Sequence, residues 1–273
     1  HATAFAQTGF RVLGLDVNAR RVAAVNAGQS DIPDVPSETL APLVASGALQ
    51  ATSDYSRLAE ADVALICVPT PFDDMKTPDL AFIISAAEGI APYLRAGQMV
   101  ILQSTTYPGT TEEIVQPILE RGGLRAGQDF HLVFSPERID PGNQQYSAHN
   151  IPKVVGGLTP ACTELACQLF GHLTPAIHPV STPRAAEMTK LLENIFRSVN
   201  IALVNELALL MERMAIDIWE VIAAARTKPF GFMAFTPGPG VGGHCIPVDP
   251  YYLSWKAREF DFYTKFIELA AEV

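Results

Sequence analysis

Cys245 lies in the run Gly238-Pro239-Gly240-Val241-Gly242-Gly243-His244-Cys245-Ile246-Pro247-Val248-Asp249, which sets a thiol inside a glycine-rich turn with an acid four residues later. Gly240, Gly242 and Gly243 permit positive backbone dihedrals and close approach by a ligand, while Pro237, Pro239, Pro247 and Pro250 stiffen the flanks. A cysteine in a turn that feeds a helix gains thiolate character from the helix N-terminus, and the thiolate is the nucleophile. A buried, inert cysteine in a helix-entry turn would have the same local sequence, so the loop alone leaves both readings open. Asp249 is open in the same way: it is either an acid for chemistry or the cap of a helix that Pro250 begins. Lys190 and Asn194 stand four residues apart, share one face of a helix and can point at one reacting atom. The same spacing also fits a solvated face on which Lys190 pairs with Glu187 or Glu193.

These residues need a scaffold. Apolar runs at Phe10–Leu15, Val63–Val68, Met99–Leu102 and Phe130–Phe134 alternate with helical stretches, which implies a parallel sheet with helices on both faces, a doubly wound α/β domain of Rossmann type. A strand near Lys153–Gly156, a helix from about Pro160 to His172 and a strand near Ala176–Pro179 extend it. Thr182 is a good N-cap with Pro183 at the first helical position, and no glycine or proline interrupts Arg184 to Met214. Such a helix is roughly 45 Å long. Its apolar residues Met188, Leu191, Leu192, Ile195, Val199, Leu203, Leu207, Leu210 and Met214 recur at helical spacing and predict a broad buried face. A further helical pattern runs from about Tyr251 to Val273.

Ligands of open parallel sheets bind at the carboxyl ends of the strands. Asp16, which ends the first apolar strand, therefore stands where a dinucleotide-binding unit places an acid for the adenosine ribose hydroxyls; an aspartate at a strand end is also an ordinary turn residue. The glycine fingerprint normally precedes that acid by about 20 residues, which puts it ahead of His1. Val68-Pro69-Thr70-Pro71 and Ser104-Thr105-Thr106 follow two more strands on the same side, where plain turn chemistry is the alternative.

Composition narrows the classes. The chain has 273 residues, 48% of them hydrophobic, enough for a sizeable core in one large or two modest domains. Its formal charge of -10 and the lack of a basic stripe argue against nucleic acid as a partner. No unbroken apolar run approaches the roughly 18 residues of a membrane span, and no signal segment opens the chain, so no membrane partner and a cytoplasmic location are expected. Cys67, Cys162, Cys167 and Cys245 show neither disulfide-scaffold density nor zinc-ligand spacing, so no metal is expected.

With Gln103–Thr111, Phe134-Ser135-Pro136-Glu137-Arg138 and Lys190–Asn194, the cysteine loop makes four ordered blocks that resemble the UDP-glucose/GDP-mannose (nucleotide-sugar) dehydrogenase family. The resemblance runs over essentially the whole chain and is nearest to the UDP-N-acetylglucosamine 6-dehydrogenase branch, which the Thr227-Lys228-Pro229-Phe230-Gly231-Phe232 stretch also resembles. It implies a four-electron oxidation of the C6 alcohol of a UDP-sugar to a carboxylate, with NAD as cofactor. Cys245 would form the thiohemiacetal and thioester, Lys190 and Asn194 would stabilise oxygen anions, and Glu137, Thr105 and Asp249 would direct water. Glu137, Arg138, Lys190, Asn194, Gly240 and Gly242 would contact the sugar, with Arg138 shaping a pocket for a 2-acetamido group. Asp16, Arg21, Thr70 and Thr105 would contact the cofactor; Arg21 fits NAD but would also suit a 2'-phosphate. Glucose-type relatives carry a second acid at the position of Pro141, beside Asp140, so Asp140 takes less weight.

The resemblance implies a Rossmann-type NAD-binding domain over 1–180, lacking its first strand, and a central helical domain over 181–273 holding the cysteine loop and a homodimer interface along the long helix. The relatives' C-terminal UDP-binding domain is then absent, and the chain by itself is expected to be inactive. UDP-N-acetylmannosamine or UDP-glucose as substrate, a cysteine hydrolase, and a non-catalytic remnant are the alternatives that the residues leave open.

Overall fold

The computed structural model describes residues 1–73, 76–139, 146, 149–242 and 246–273. In chain order the elements are helix α1 (Ala2–Gln7), strand β1 (Val12–Leu15), helices α2 (Ala19–Asn26) and α3 (Ser37–Ala45), then strands β2 (Leu49–Thr52) and β3 (Val63–Ile66). Helix α4 (Ala81–Ile90), strand β4 (Met99–Leu102), helix α5 (Gln116–Leu119), strands β5 (His131–Phe134) and β6 (Lys153–Gly157), helix α6 (Pro160–Gly171) and strand β7 (Ile177–Val180) follow. The remainder is helical: α7 (Pro183–Arg213), α8 (Ile218–Arg226), α9 (Asp249–Ala257) and α10 (Lys265–Glu272).

Two compact units result. The first comprises His1–Pro69, Ala81–Ser104 and Gly109–Glu187, and the second Thr70–Leu80, Thr105–Pro108 and Met188–Val273. The loops after β3 and β4 thus contribute Thr70 and Thr105 to the same unit as most of α7.

In the first unit β1 and β2 form a parallel pair, and the other strands form one sheet in the order β3-β4-β5-β6-β7. The α/β class is as the apolar runs imply, but the sheet is mixed rather than wholly parallel, because β6 runs antiparallel to β5 through the pairs Val133–Gly157 and Phe134–Gly156. Apolar content reports that a strand is covered on both faces and carries no information about its direction. Alternation along the strands sends Met99, Ile101, Val133 and Val155 to one face, where they pack with Phe5 of α1 and with Cys162, Ala166 and Phe170 of α6. Gly156 and Gly157 end β6 where side chains would not fit. A Cβ on Gly156 would meet the Thr182 carbonyl oxygen at 2.3 Å, and one on Gly157 the Thr163 nitrogen at 2.4 Å. The absence of a side chain on Gly156 therefore lets the entry to α7 lie directly against the sheet.

Helix α7 starts as its sequence directs: the Thr182 hydroxyl accepts from the Ala185 N–H at 3.2 Å, with Pro183 in the first turn. The broad buried face expected of it is a narrower one. Glu187, Leu191, Asn194, Ser198 and Ala202 form the buried stripe, whereas Leu192, Leu203, Leu210 and Met214 are exposed, Leu192 at 60%. Two stripes of different destination share one helical period, and a pattern of apolar residues does not tell them apart. Although the sequence has no unbroken apolar run of that length, α7 is long and apolar enough on average to cross a membrane by length and composition alone. The remaining core of the second unit joins Tyr107, Leu191 and Tyr252, flanked by Leu80, Ile195, Val248 and Trp255.

Candidate active site

In the second unit, α7 and α9 bring two of the sequence-selected residues into contact. The Asn194 side-chain amide, 5% exposed, donates from Nδ2 to Oδ2 of Asp249, itself 3% exposed. Burial pushes the Asp249 carboxyl up to about 6, against the opposing effects of the Asn194 hydrogen bond and the Lys190 charge. Asp249 is not the cap of its helix. It is the first residue of α9, Val248 occupies the cap position, and no side chain caps there. The carboxylate has turned inward because Asn194 offers a partner that a surface cap position lacks. An amide carries two N–H groups, and among the described residues only one of them, on Asp249, has a partner.

Lys190, one turn before Asn194, is half-buried and bears on the Asp249 charge. Of the two partners that its spacing left open, Glu187 and Glu193, the first is engaged elsewhere. Glu187 is fully buried and its carboxylate accepts from the Gly109 N–H at 2.6 Å, the Thr111 N–H at 2.9 Å and the Thr111 hydroxyl at 2.7 Å. Burial pushes the Glu187 carboxyl up, and those hydrogen bonds pull it back.

Helix α9 also holds the Thr70 loop. The Tyr252 hydroxyl donates to the Thr70 carbonyl, with the Pro71 carbonyl 3.2 Å away, and burial pushes the phenol up to about 12. Tyr252 follows Asp249 by three residues and was missed in the sequence, where it reads as one more aromatic of a helix. Thr105 is half-buried in this unit, between the buried Ser104 and Tyr107. Of the glycines chosen as sugar contacts, Gly240 takes the left-handed conformation with φ +131 and open space before it. Gly242 has open space before it too, without a positive φ. Cys245, Gly243 and His244, like Asp140, lie outside the described residues.

The first unit holds the rest. Glu137 Oε1 accepts from the N–H groups of Arg138 and Ile139 at 2.7 Å each, and Oε2 pairs with Lys153 Nζ at 3.0 Å and with the His1 ring. Both oxygens of this candidate base are therefore engaged by its own unit. Lys153 is fully buried, and desolvation pushes its ammonium down while Glu137 pulls it up. A lysine in a β-strand reads as an edge residue, so nothing in the sequence flagged it. The Arg138 guanidinium donates to the Pro152 carbonyl at 2.8 Å.

Asp16 follows β1 directly. Its Oδ1 accepts from the Asn18 N–H at 2.8 Å, closing the turn into α2, and Oδ2 faces Arg21 Nη1 at 3.3 Å. The turn reading of Asp16 is thus correct, and its carboxylate stays part-exposed, while its partner Arg21 lines a depression with Asn18, Val25 and Asp31. Asp16 is thus a part-exposed acid at the carboxyl end of a parallel strand, the end at which open α/β sheets bind their ligands.

Comparison with known proteins accounts for this arrangement. Residues 1–174 match the NAD binding domain of the UDP-glucose/GDP-mannose dehydrogenase family, and residues 184–273 match its central domain. A UDP-N-acetyl-D-glucosamine 6-dehydrogenase of Pseudomonas aeruginosa is 42% identical over 94% of the chain, and a UDP-N-acetyl-D-mannosamine dehydrogenase of Yersinia pestis is 40% identical over 92%. The chain spans 60% and 61% of those two proteins. The structure of a UDP-D-ManNAc dehydrogenase from Pyrococcus horikoshii superposes with a TM-score of 0.92 at 34% identity, over 99% of this chain and 64% of that one. The chain belongs to the UDP-glucose/GDP-mannose dehydrogenase family.

Proposed function

We propose that this chain carries the cofactor-binding and sugar-oxidising parts of a dehydrogenase that converts the C6 primary alcohol of a UDP-linked 2-acetamido sugar to a carboxylate. The observation that carries the reading is the grouping of half-buried Lys190 with buried Asn194 and Asp249, an ammonium and an amide donor near an acid raised to about 6. UDP-N-acetylglucosamine is the first substrate to try, on the likeness of Thr227–Phe232 to that branch. The mannosamine epimer is supported equally by the relatives.

NAD, when bound, supplies the acceptor for two hydrides in turn, with Asp16 and Arg21 holding its adenosine end and Thr70 and Thr105 further along it. The chain's own residues do the remainder. The Cys245 thiolate adds to the aldehyde carbon left by the first oxidation, so that the aldehyde does not escape. Lys190 and the second N–H of Asn194 stabilise the oxyanion that this addition creates, a contribution of about 3 kcal/mol per well-placed donor. Loss of the second hydride leaves a thioester. Water, directed by Asp249 and Thr105 with Glu137 as base, then cleaves the C–S bond, giving the carboxylate and returning the thiol. For Glu137 to act, one of its oxygens must exchange Lys153 for that water. Arg138 would border the 2-acetamido group.

The exposed stripe Leu192, Phe196, Leu203, Leu210 and Met214 supports a second copy of the chain as partner along α7, which sedimentation tests directly. The reaction is tested in a chain extended to the length of its relatives, by counting NADH formed from each UDP-sugar with wild type and Cys245→Ser. Two NADH per sugar, lost as sustained turnover in the variant, is the expected result; no NADH from any nucleotide sugar refutes the proposal. If Asp249 must be ionised, turnover falls as the pH drops through about 6, and a flat profile from pH 5 to 8 removes it from the chemistry.

A further inference from the structure

We infer that Glu187 is a positioning residue for the oxidation: it fixes the register of α7, and with it Lys190 and Asn194, against the segment that follows Thr105. The inference rests on the reading above, which assigns Glu187 no part.

Helix N-termini leave N–H groups without partners, usually met by a side chain just upstream. The turn of Thr111–Val115, which leads into α5, is wound in π fashion, and no side chain of its own start caps it. Its cap comes from 76 residues away in sequence, for the Glu187 carboxylate takes the Gly109 and Thr111 N–H groups together with the Thr111 hydroxyl. The negative charge also meets the positive end of the helix dipole. Gly109 is at φ +106, a left-handed conformation that glycine adopts without strain, and in it the Gly109 N–H meets Glu187.

Two consequences follow from chain geometry. Gly109 stands four residues after Thr105, so anchoring its N–H fixes the exit of the Thr105 segment. Glu187 lies three residues before Lys190 and seven before Asn194, on the face that continues through Leu191. A rigid helix that is held by one side chain holds those one and two turns on. Thr105, Lys190 and Asn194 belong to the same compact unit, whose core packs Tyr107 on Leu191. A hydrophobic contact permits sliding along the helix axis, whereas a carboxylate with three donors does not. This explains a polar group at a position where an apolar one would bury at less desolvation cost.

The test compares Glu187→Gln, Glu187→Asp and Thr111→Val in the chain extended to its relatives' length. Glutamine keeps the shape but turns an N–H toward one of the donors; aspartate keeps the charge but is too short for both N–H groups. We expect kcat to fall on the order of 10²-fold in both Glu187 variants, as for a small misplacement of catalytic groups, while KM for NAD and for the sugar stays within about threefold. Thr111→Val, which removes one donor and keeps two, should lose about tenfold in kcat with the same KM pattern. Wild-type kcat in a folded Glu187→Gln overturns the inference. So does a loss of rate that merely matches a loss of NAD-binding protein, which is the mark of a structural role alone. Should neither Glu187 variant fold, Thr111→Val decides, and wild-type kcat there overturns it. The wild type is its own control: no NADH from it refutes the proposed reaction, whereas wild-type NADH with an unaffected variant refutes only the role of Glu187.

Discussion

Helix α7 buries one carboxylate of its own and receives another, and the two sites differ in how fully each is satisfied. Glu187, 0% exposed, meets three donors from the turn at Gly109–Thr111. Asp249, 3% exposed, meets one amide N–H from Asn194 and the field of Lys190. Desolvation raises both, Asp249 to about 6, inside the range where it gains and loses a proton under ordinary conditions. A carboxylate held by three donors is an anchor. One left short of partners is available for water or substrate. Burial alone does not mark the reactive group, and the count of donors does.

The largest test of that contrast is Asp249→Asn. Turnover should fall by at least 10²-fold, measured as NADH formation in the extended chain. Stability should move the other way. A carboxyl whose folded value is raised from 3.8 to about 6 favours the folded state most below its unfolded value, and that advantage is lost as the pH rises through 6. At pH 7 the ionised group therefore costs about 3 kcal/mol relative to pH 3. Urea unfolding at a series of pH values should show Asp249→Asn equal to or more stable than wild type at pH 7, with a flatter dependence between pH 4 and 6. A variant that is both inactive and less stable at pH 7 would make Asp249 another anchor and dissolve the comparison. Glu187→Leu supplies the other half. It leaves two N–H groups and a hydroxyl buried without partners, and should cost about 3 kcal/mol at pH 7 by the same measurement.

How far the sequence disclosed this follows the same line. Strands β3, β4 and β5 were legible because a strand covered on both faces must be continuously apolar, and α7 was legible from Thr182-Pro183. Lys190, Asn194 and Asp249 were legible as chemical residue types in family order. The direction of β6 was not, since pairing sense lies in the path of the chain. Nor were Glu187, Lys153 and Tyr252, whose partners stand 76, 16 and 182 residues away. Each looks locally like a surface or core residue, and only the fold gives it a partner. The exposed stripe of α7 failed for the converse reason: Leu203 and Leu210 carry the apolar signature of burial without a covering element among the described residues.

Two smaller predictions sharpen the division between anchoring and chemistry. Tyr252→Phe removes the hydroxyl held by the Thr70 and Pro71 carbonyls and should cost about 1 kcal/mol in urea unfolding, with KM for NAD raised a few-fold because Thr70 loses its tether. An unchanged KM would detach Thr70 from the cofactor.

At the far end of the scale stands Arg21, more than half exposed and paired with Asp16 at 3.3 Å. An exposed pair of this kind contributes little to folding because water and salt screen it. Arg21→Gln should leave the unfolding midpoint where it was and affect only NAD, weakening it a few-fold at low salt and less at high salt. If instead the substitution lowers the unfolding midpoint and leaves NAD affinity alone, the Asp16 turn is a structural element and the cofactor's adenosine end lies elsewhere. Arg21 would then join Glu187 as an anchor, and the donor count that separates Glu187 from Asp249 would not extend to groups in water, where solvent supplies the missing partners.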